Sequence, residues 1–136
     1  MSMKEAELFV EAEINPTEDP DKVLAALNRV FGDLDYEIEE REDRKFLVGR
    51  DDKMIGLTHF RNLLHRELIC DAARKVLFSG LQGNTISFCL NKQVAFMGHI
   101  SFSNPVGESP LGPIKVKISC KDPRALIDWI APKTGS

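Results

Sequence analysis

The chain has 136 residues, of which 43% are hydrophobic and 29% are charged, and its formal net charge is −3. This length and composition predict a single globular domain over residues 1–136 with its own hydrophobic core, and they exclude a disordered or fibrous protein. The acidic start and the short apolar runs argue against a signal peptide and a membrane span, so we expect a cytoplasmic protein.

The first two predicted elements are a strand and a helix. In residues 5–14, EAELFVEAEI, apolar residues alternate with mostly glutamates, a pattern typical of a strand with one face in water. In the segment that follows, Asp19 can cap a helix, Pro20 suits its first turn, and Gly32 can end it. The N-terminal third therefore predicts a half-exposed strand followed by an amphipathic helix.

The middle of the chain predicts two more strands, a helix and a hairpin. Residues 36–50 contain two short strand patterns around a charged REDR turn, and residues 57–79 are helical, with a kink near His65 or burial on two sides. TISFCLN and VAFMGHISF alternate about NKQ, which predicts a β-hairpin with Lys92 and Gln93 at its tip. The core positions expected in this hairpin are Ile86, Phe88, Leu90, Phe96, Ile100 and Phe102.

The C-terminal segment completes the predicted fold. SNPVGESPLGP, residues 103–113, is loop by composition, and IKVKIS reads as a half-exposed strand with Lys115 and Lys117 outward. KDPRALIDWIAP predicts a last helix that begins at Asp122 and Pro123 and buries Leu126, Trp129 and Ile130. The sum is an α+β domain with a mostly antiparallel sheet and helices packed on one face.

One predicted helix invites a catalytic interpretation, because LTHFRNLLHRELICDAARKVL carries two histidines, a cysteine and an aspartate. His59 and His65 would lie roughly 120° apart around the helix axis, and no two of these four residues have the i, i+4 spacing of helical metal ligands. The three cysteines lack CxxC spacing, and no phosphate-binding loop, GxSxG or HExxH motif is present. We therefore expect a structural helix, no cofactor, no metal and no enzymatic activity; an unrecognised metal or cysteine enzyme is the alternative.

Charge is distributed unevenly along the chain. Residues 1–45 hold six Lys and Arg against 14 Asp and Glu, a net −8, whereas residues 46–136 hold 12 against seven, a net +5. Such asymmetry suggests a polyanion partner if the late cations share a surface, although Lys115 and Lys117 can instead face the glutamates of the first strand. The candidate phosphate-binding residues are Arg74, Lys92, Gln93, Lys115, Lys117, Lys121 and Arg124.

The segments NPTEDPDKV, ICDAARKVL, LNKQVAF and PLGPIKVKISCKDPRALIDWIAP together resemble a family of small archaeal proteins that is catalogued as uncharacterised and labelled RNA-binding or exosome-subunit-like. The resemblance covers nearly the full chain. It implies an α+β fold similar to the large-subunit ribosomal protein that contacts 5S ribosomal RNA, an archaeal cytoplasm and no demonstrated catalytic activity. Arg74 in DAAR and Lys92 with Gln93 in LNKQ are the residues that the resemblance carries over.

Two binding hypotheses follow. The first is a non-enzymatic RNA-binding or RNA-processing accessory protein, acting on phosphates through its basic C-terminal half and partnered by RNA or an RNA-processing complex. The second is a protein-interaction module or homodimer, with an uncharged outward face on the predicted hairpin. That face would consist of Thr85, Ser87, Cys89, Ala95, Met97 and Ser101.

Overall fold

The computed structural model describes residues 6–103 and 111–133, and its first elements are the predicted strand and helix. Strand β1, Glu7–Ile14, buries every second side chain. Helix α1, Pro20–Phe31, begins where the side chain of Asp19 accepts a hydrogen bond of 2.9 Å from the amide of Asp21, and it ends at Gly32, whose φ is +80°. The alternation and the capping residues therefore gave correct predictions here.

The next two strands also agree with the sequence. Strands β2, Asp35–Arg41, and β3, Arg44–Asp51, pair antiparallel across a two-residue turn. Both turn residues, Glu42 and Asp43, have positive φ, which is the geometry of a tight turn that matches the twist of the flanking strands. The charged REDR segment is thus a hairpin turn, as predicted.

The long predicted helix is two helices. Helix α2, Ile55–Arg66, and helix α3, Cys70–Ser79, are separated at Leu68, whose φ is +59°. The rotation of the apolar positions near His65 therefore reflects a break in the helix, the stronger form of the predicted kink. The apolar face of α2 is buried through Leu57, Phe60, Leu63 and Leu64, and that of α3 through Ala73 and Leu77.

The predicted hairpin at residues 85–102 is correct for its first strand, residues 85–91, and wrong after it. After strands β4, Leu81–Gln82, and β5, Thr85–Asn91, the chain forms a short helix, α4, Lys92–Phe96. The side chain of Asn91 caps this helix by accepting a 3.0 Å hydrogen bond from the amide of Val94. Up to Ser103, where the first described range ends, a two-residue strand, β6, Phe102–Ser103, returns beside β5.

This difference changes the environment of several predicted positions. Ile86, Phe88 and Leu90 are buried as expected, but Phe96 and Phe102 are only partly buried. Ala95 is 1% exposed, so the uncharged outward face predicted for a homodimer does not exist in that form. His99 is exposed and lies outside any strand. The predicted loop at residues 103–113 lies mostly outside the described residues.

Strand β7, Pro113–Ser119, and helix α5, Pro123–Ile130, complete the described chain. The sheet order is β2-β3-β1-β7-β5-β4, with β6 beside β5, and every pairing is antiparallel. Helices cover one face, where a stack of Phe31, Phe60 and Phe88 with ring centroids 5.5 and 5.6 Å apart joins α1 and α2 to β5. The predicted α+β class is confirmed, and the other face of the sheet is left to form a surface.

Leu68 gives a first stability prediction. Its side chain is 90% exposed, and the left-handed backbone conformation costs an L-residue about 1–2 kcal/mol, less for asparagine. We expect Leu68→Asn to raise the free energy of unfolding by about 1 kcal/mol, measured by urea denaturation. Leu68→Ala is the control, because alanine keeps a Cβ and hence the strain; an equal gain in both variants would contradict the backbone explanation.

Candidate nucleic-acid interface

The open face of the sheet carries alternating charges that largely pair with one another over β1, β2 and β3. Glu11 bonds Arg41, and Glu13 bonds Arg44, whose hydrogen bond is the main cause that lowers the pKa of the Glu13 carboxyl. Arg50 lies 3.2 and 3.3 Å from carboxylate oxygens of Glu37 and Glu39. Exposed pairs of this kind add little stability, but they neutralise the glutamate-rich side of the face.

A groove with a volume of about 1060 Å³ lies on the same face, towards β7, β5 and α3. Three lysines line it: Lys115 and Lys117 from β7, and Lys75 from α3. Glu11 is the one acidic residue in the described lining, and Arg41 already engages it. Within the described part of the chain, the three ammonium groups have no carboxylate at ion-pairing distance. We call these three lysines and the surface between them the lysine groove.

Local sequence places each of these lysines. Alternation along β7 buries Ile114, Val116 and Ile118 and turns Lys115 and Lys117 to the open face. In register, Lys115 lies opposite Glu11 and Lys117 opposite Phe9, so the predicted Lys–Glu facing pair occurs once.

Helix α3 supplies the opposite wall of the groove. Lys75 and Ser79 are four residues apart and therefore share one side of the helix. The amide of Ser87 in β5 donates a 3.0 Å hydrogen bond to the carbonyl of Gly80, immediately after the helix. A Cβ on Gly80 would lie 1.8 Å from the Ser87 carbonyl oxygen, so glycine permits this close approach. The end of α3 thus sits at the edge of β5 and brings Lys75 to the groove.

Comparisons with known proteins identify relatives of this chain. A family model described as RNA binding matches residues 7–120, and a UPF0201 protein of Sulfurisphaera tokodaii is 47% identical over 127 residues, or 93% of this chain and 88% of the relative. The chain belongs to the UPF0201 family. The crystal structure of a UPF0201 protein from Methanococcus jannaschii has a TM-score of 0.82 at 30% identity and covers 96% of both chains. A DUF54 protein from Methanothermobacter thermautotrophicus shares the fold, with a TM-score of 0.61 at 21% identity over 90% of this chain and 92% of that one.

The family assignment agrees with part of the resemblance drawn from the motifs. The archaeal relatives and the RNA-binding description of the family model are confirmed. The exosome-subunit-like role, the likeness to a ribosomal protein and the cytoplasmic location stay predictions. In the described ranges, no helix has both the length and the apolar character needed to cross a bilayer.

Among the predicted site residues of this UPF0201 chain, Lys92 differs most from its expected placement. It is 0% exposed, and its ammonium donates to the carbonyl oxygens of Glu13 and Leu111 and to the Glu18 carboxylate at 2.6, 2.9 and 3.0 Å. The predicted hairpin tip is therefore wrong, and no surface of Lys92 is available to a phosphate. Gln93 is exposed on α4 and is not among the groove-lining residues.

Two of the remaining predicted residues, Arg74 and Arg124, lie near Phe78 at the end of α3. Arg74 is held there, because its guanidinium bonds Asp128 at 2.7 Å and the carbonyl oxygen of Ala131 at 3.2 Å and lies over the Phe78 ring. Arg124 lies over the same ring and lines a smaller cavity of about 430 Å³. Lys121 is exposed just before α5. Arg74 thus ties α3 to α5, and of the seven predicted residues only Lys115 and Lys117 lie in the lysine groove.

Lys75 was missed by the sequence interpretation, which took its helix to be mainly structural. Its spacing to Ser79 indicated a shared side of the helix, but the contact between Gly80 and Ser87 in β5 is what places that side at the groove. Sequence therefore indicated one wall of the groove and not the other.

Possible metal ligands and the three cysteine thiols are the groups on which the alternative enzymatic hypothesis depends. Among residues 6–103 and 111–133, no group of three or more His, Cys, Asp or Glu side chains is arranged to hold a metal ion. Burial is the main cause that raises the pKa of Cys70, Cys89 and Cys120 above the ordinary value of 9.0. A raised pKa keeps each thiol protonated at neutral pH, which is the less nucleophilic form.

Proposed function

We propose that this protein binds RNA through the lysine groove, with Lys75, Lys115 and Lys117 contacting phosphates. The observation that carries the proposal is the convergence on one concave surface of three lysines from two distant segments, none with a carboxylate at ion-pairing distance among the described residues. Beside them, Glu11 and Glu13 are already paired with arginines. Phosphate contacts from lysines supply most sequence-independent affinity for nucleic acids. The RNA-binding description of the family model supports the same ligand.

The proposal includes that the protein binds RNA without catalysing a reaction on it. The groove lining combines ammonium groups, hydroxyls and aromatic surface with the Glu11 carboxylate, which Arg41 already engages, and the Cys89 thiol, whose pKa is raised mainly by burial. An accessory role in RNA processing, exosome-like as the motif resemblance implies, is the finer part of the proposal. On this basis the protein would hold or deliver an RNA to another protein that carries out the reaction.

Removal of two lysines tests the function. We expect Lys115→Gln combined with Lys117→Gln to weaken RNA binding roughly 20-fold at about 0.1 M salt, since two phosphate contacts would be lost. Fluorescence anisotropy over a salt series should give a logarithmic slope of roughly −2 for the unchanged protein and about −0.7 for the double variant.

A charge-matched control separates the groove from net charge. Lys22 on α1 and Lys45 on β3 are exposed and do not line the groove, so Lys22→Gln combined with Lys45→Gln removes the same charge elsewhere. This control should bind RNA almost as the unchanged protein does. Equal losses in both double variants, or binding that does not depend on salt, would contradict the proposed site.

A further inference from the structure

One aromatic side chain stands in the lysine groove on the open face. Phe9 is half-buried and belongs to the wet side of β1, and the guanidinium of Arg50 lies 5.3 Å from its ring centroid. The antiparallel registers place Arg50, Phe9, Lys117 and Ser87 in a single row across β3, β1, β7 and β5. A flat stacking surface and a cation therefore occupy adjacent strands, about 4.8 Å apart.

We infer that the ligand of the groove is single-stranded RNA, with an unpaired base stacked on Phe9 and a neighbouring phosphate on Lys117. This inference rests on the proposed function and specifies its substrate. Single-strand sites combine a positively charged groove with aromatic side chains that stack on bases, and this row has both. In a duplex the faces of the bases are stacked on each other, so Phe9 could contribute nothing to duplex binding.

The second outward aromatic side chain of the open face provides a matched control. Phe46 on β3 is also half-buried, but Arg41 and Arg44 lie over its ring, and it is not among the residues that line the lysine groove. Phe9 and Phe46 thus share residue type, face and partial burial, and differ in whether a lysine groove adjoins them. The effect of replacing each one separates stacking in the groove from a general loss of packing.

The test measures anisotropy of a 5′-labelled oligouridylate of about ten nucleotides, alone and annealed to its complement. We expect tighter binding of the single strand, a loss of about tenfold in Phe9→Leu, and no change in Phe46→Leu or in duplex binding by Phe9→Leu. Equal affinity for both probes, or no effect of Phe9→Leu while the Lys115 and Lys117 double variant loses binding, would overturn this inference and leave the proposed function standing.

Photo-crosslinking keeps the inference testable if Phe9→Leu folds poorly. A bromouridine-substituted oligomer crosslinked to the unchanged protein should give adducts in β1 or β7, mapped by mass spectrometry. Adducts confined to α1 and α2 would overturn both the inference and the proposed site. Failure to bind the oligomer would also overturn both if light scattering showed a dimer and Cys89, which lines the groove, were protected from alkylation. A second copy of the chain would then cover the groove.

Discussion

Replacement of Lys92 by methionine is expected to lower the free energy of unfolding by about 3–5 kcal/mol, because it leaves a buried carboxylate without its cation. The side chain of Glu18 is only 7% exposed, and one of its oxygens accepts from Lys92 and from the backbone and side chain of Asn15. Methionine keeps the length and apolar stem of lysine, so the loss reports the ammonium rather than a cavity. Urea denaturation at neutral pH measures it.

The penalty for Lys92→Met should depend on pH. Burial acts to raise the pKa of Glu18, but the hydrogen bonds from Asn15 and Lys92 outweigh it and hold the pKa below its ordinary value of 4.5. The ionised carboxylate therefore contributes stability above pH 4.5 that is lost as the pH falls through its folded pKa. Without Lys92 that pKa rises, so protonation relieves the variant and its deficit should shrink on acidification.

A second substitution supplies the control for this ion pair. Glu18→Gln added to Lys92→Met removes the uncompensated charge while keeping an acceptor for Asn15, and we expect it to restore much of the lost stability. In the double variant, the stability deficit relative to the unchanged protein should no longer shrink as the pH is lowered. A deficit in Lys92→Met that stays constant with pH would show that the lysine acts through its carbonyl contacts rather than through Glu18.

Gly80→Ala is expected to cost about 3 kcal/mol, near the upper end for overpacking, because the added methyl group meets backbone rather than a flexible side chain. The clash of 1.8 Å with the Ser87 carbonyl oxygen can be relieved only by moving the end of α3 away from β5. The same movement would withdraw Lys75 from the groove. RNA affinity should therefore fall together with stability, even where the variant remains folded.

Two neighbouring substitutions serve as controls for Gly80→Ala. Ser79→Ala changes an exposed side chain on the same helix and should alter stability by no more than about 0.5 kcal/mol. Gly83→Ala adds a Cβ that meets nothing within 4 Å, but at a φ of +61°, so it measures backbone strain without a clash. If Gly80→Ala lowered the free energy of unfolding no more than Gly83→Ala does, the close approach of α3 to β5 would not explain the loss of stability.

The elements that sequence predicted well are those whose signals are local. Two signals of this kind are the alternation in β1 and β7 and the Asp-Pro starts of α1 and α5. Each depends on residues that are only a few positions apart in the sequence. Asp122, for example, accepts a 3.1 Å hydrogen bond from the amide of Ala125, as its position before Pro123 indicated. Such contacts are determined by neighbours in the sequence, so they could be predicted without the fold.

The segment after β5 could not be predicted in the same way. Val94, Phe96, Ile100 and Phe102 follow a strand period, yet Asn91 starts a helix and Lys92 turns inward. The partner that makes the buried lysine tolerable is Glu18, 74 residues earlier, and sequence spacing gives no sign of that pairing. Long-range neutralisation of a charge therefore overrode local periodicity.

The candidate site shows the same division. Lys115 and Lys117 could be assigned to an outward face from β7 alone, whereas Lys75 joins them only through the packing of α3 on the edge of β5. Fewer cations of residues 46–136 share a surface than the charge count suggested, because Arg50 and Lys92 pair with carboxylates of residues 1–45. Net charge per half therefore indicated a kind of ligand but not the place where it binds.

The two margins of the sheet have different protection against unwanted association. Beyond β5, the Gly80 carbonyl and strands β4 and β6 occupy hydrogen-bonding groups that a foreign strand would need. Strand β2 ends the sheet on the other side, and acidic side chains of Asp35, Glu37, Glu39 and Glu40 follow one another along it. A second strand aligned there would have to displace water from these charged side chains and from their Arg50 partner, so charge at this margin, rather than backbone closure, guards against amyloid-like stacking.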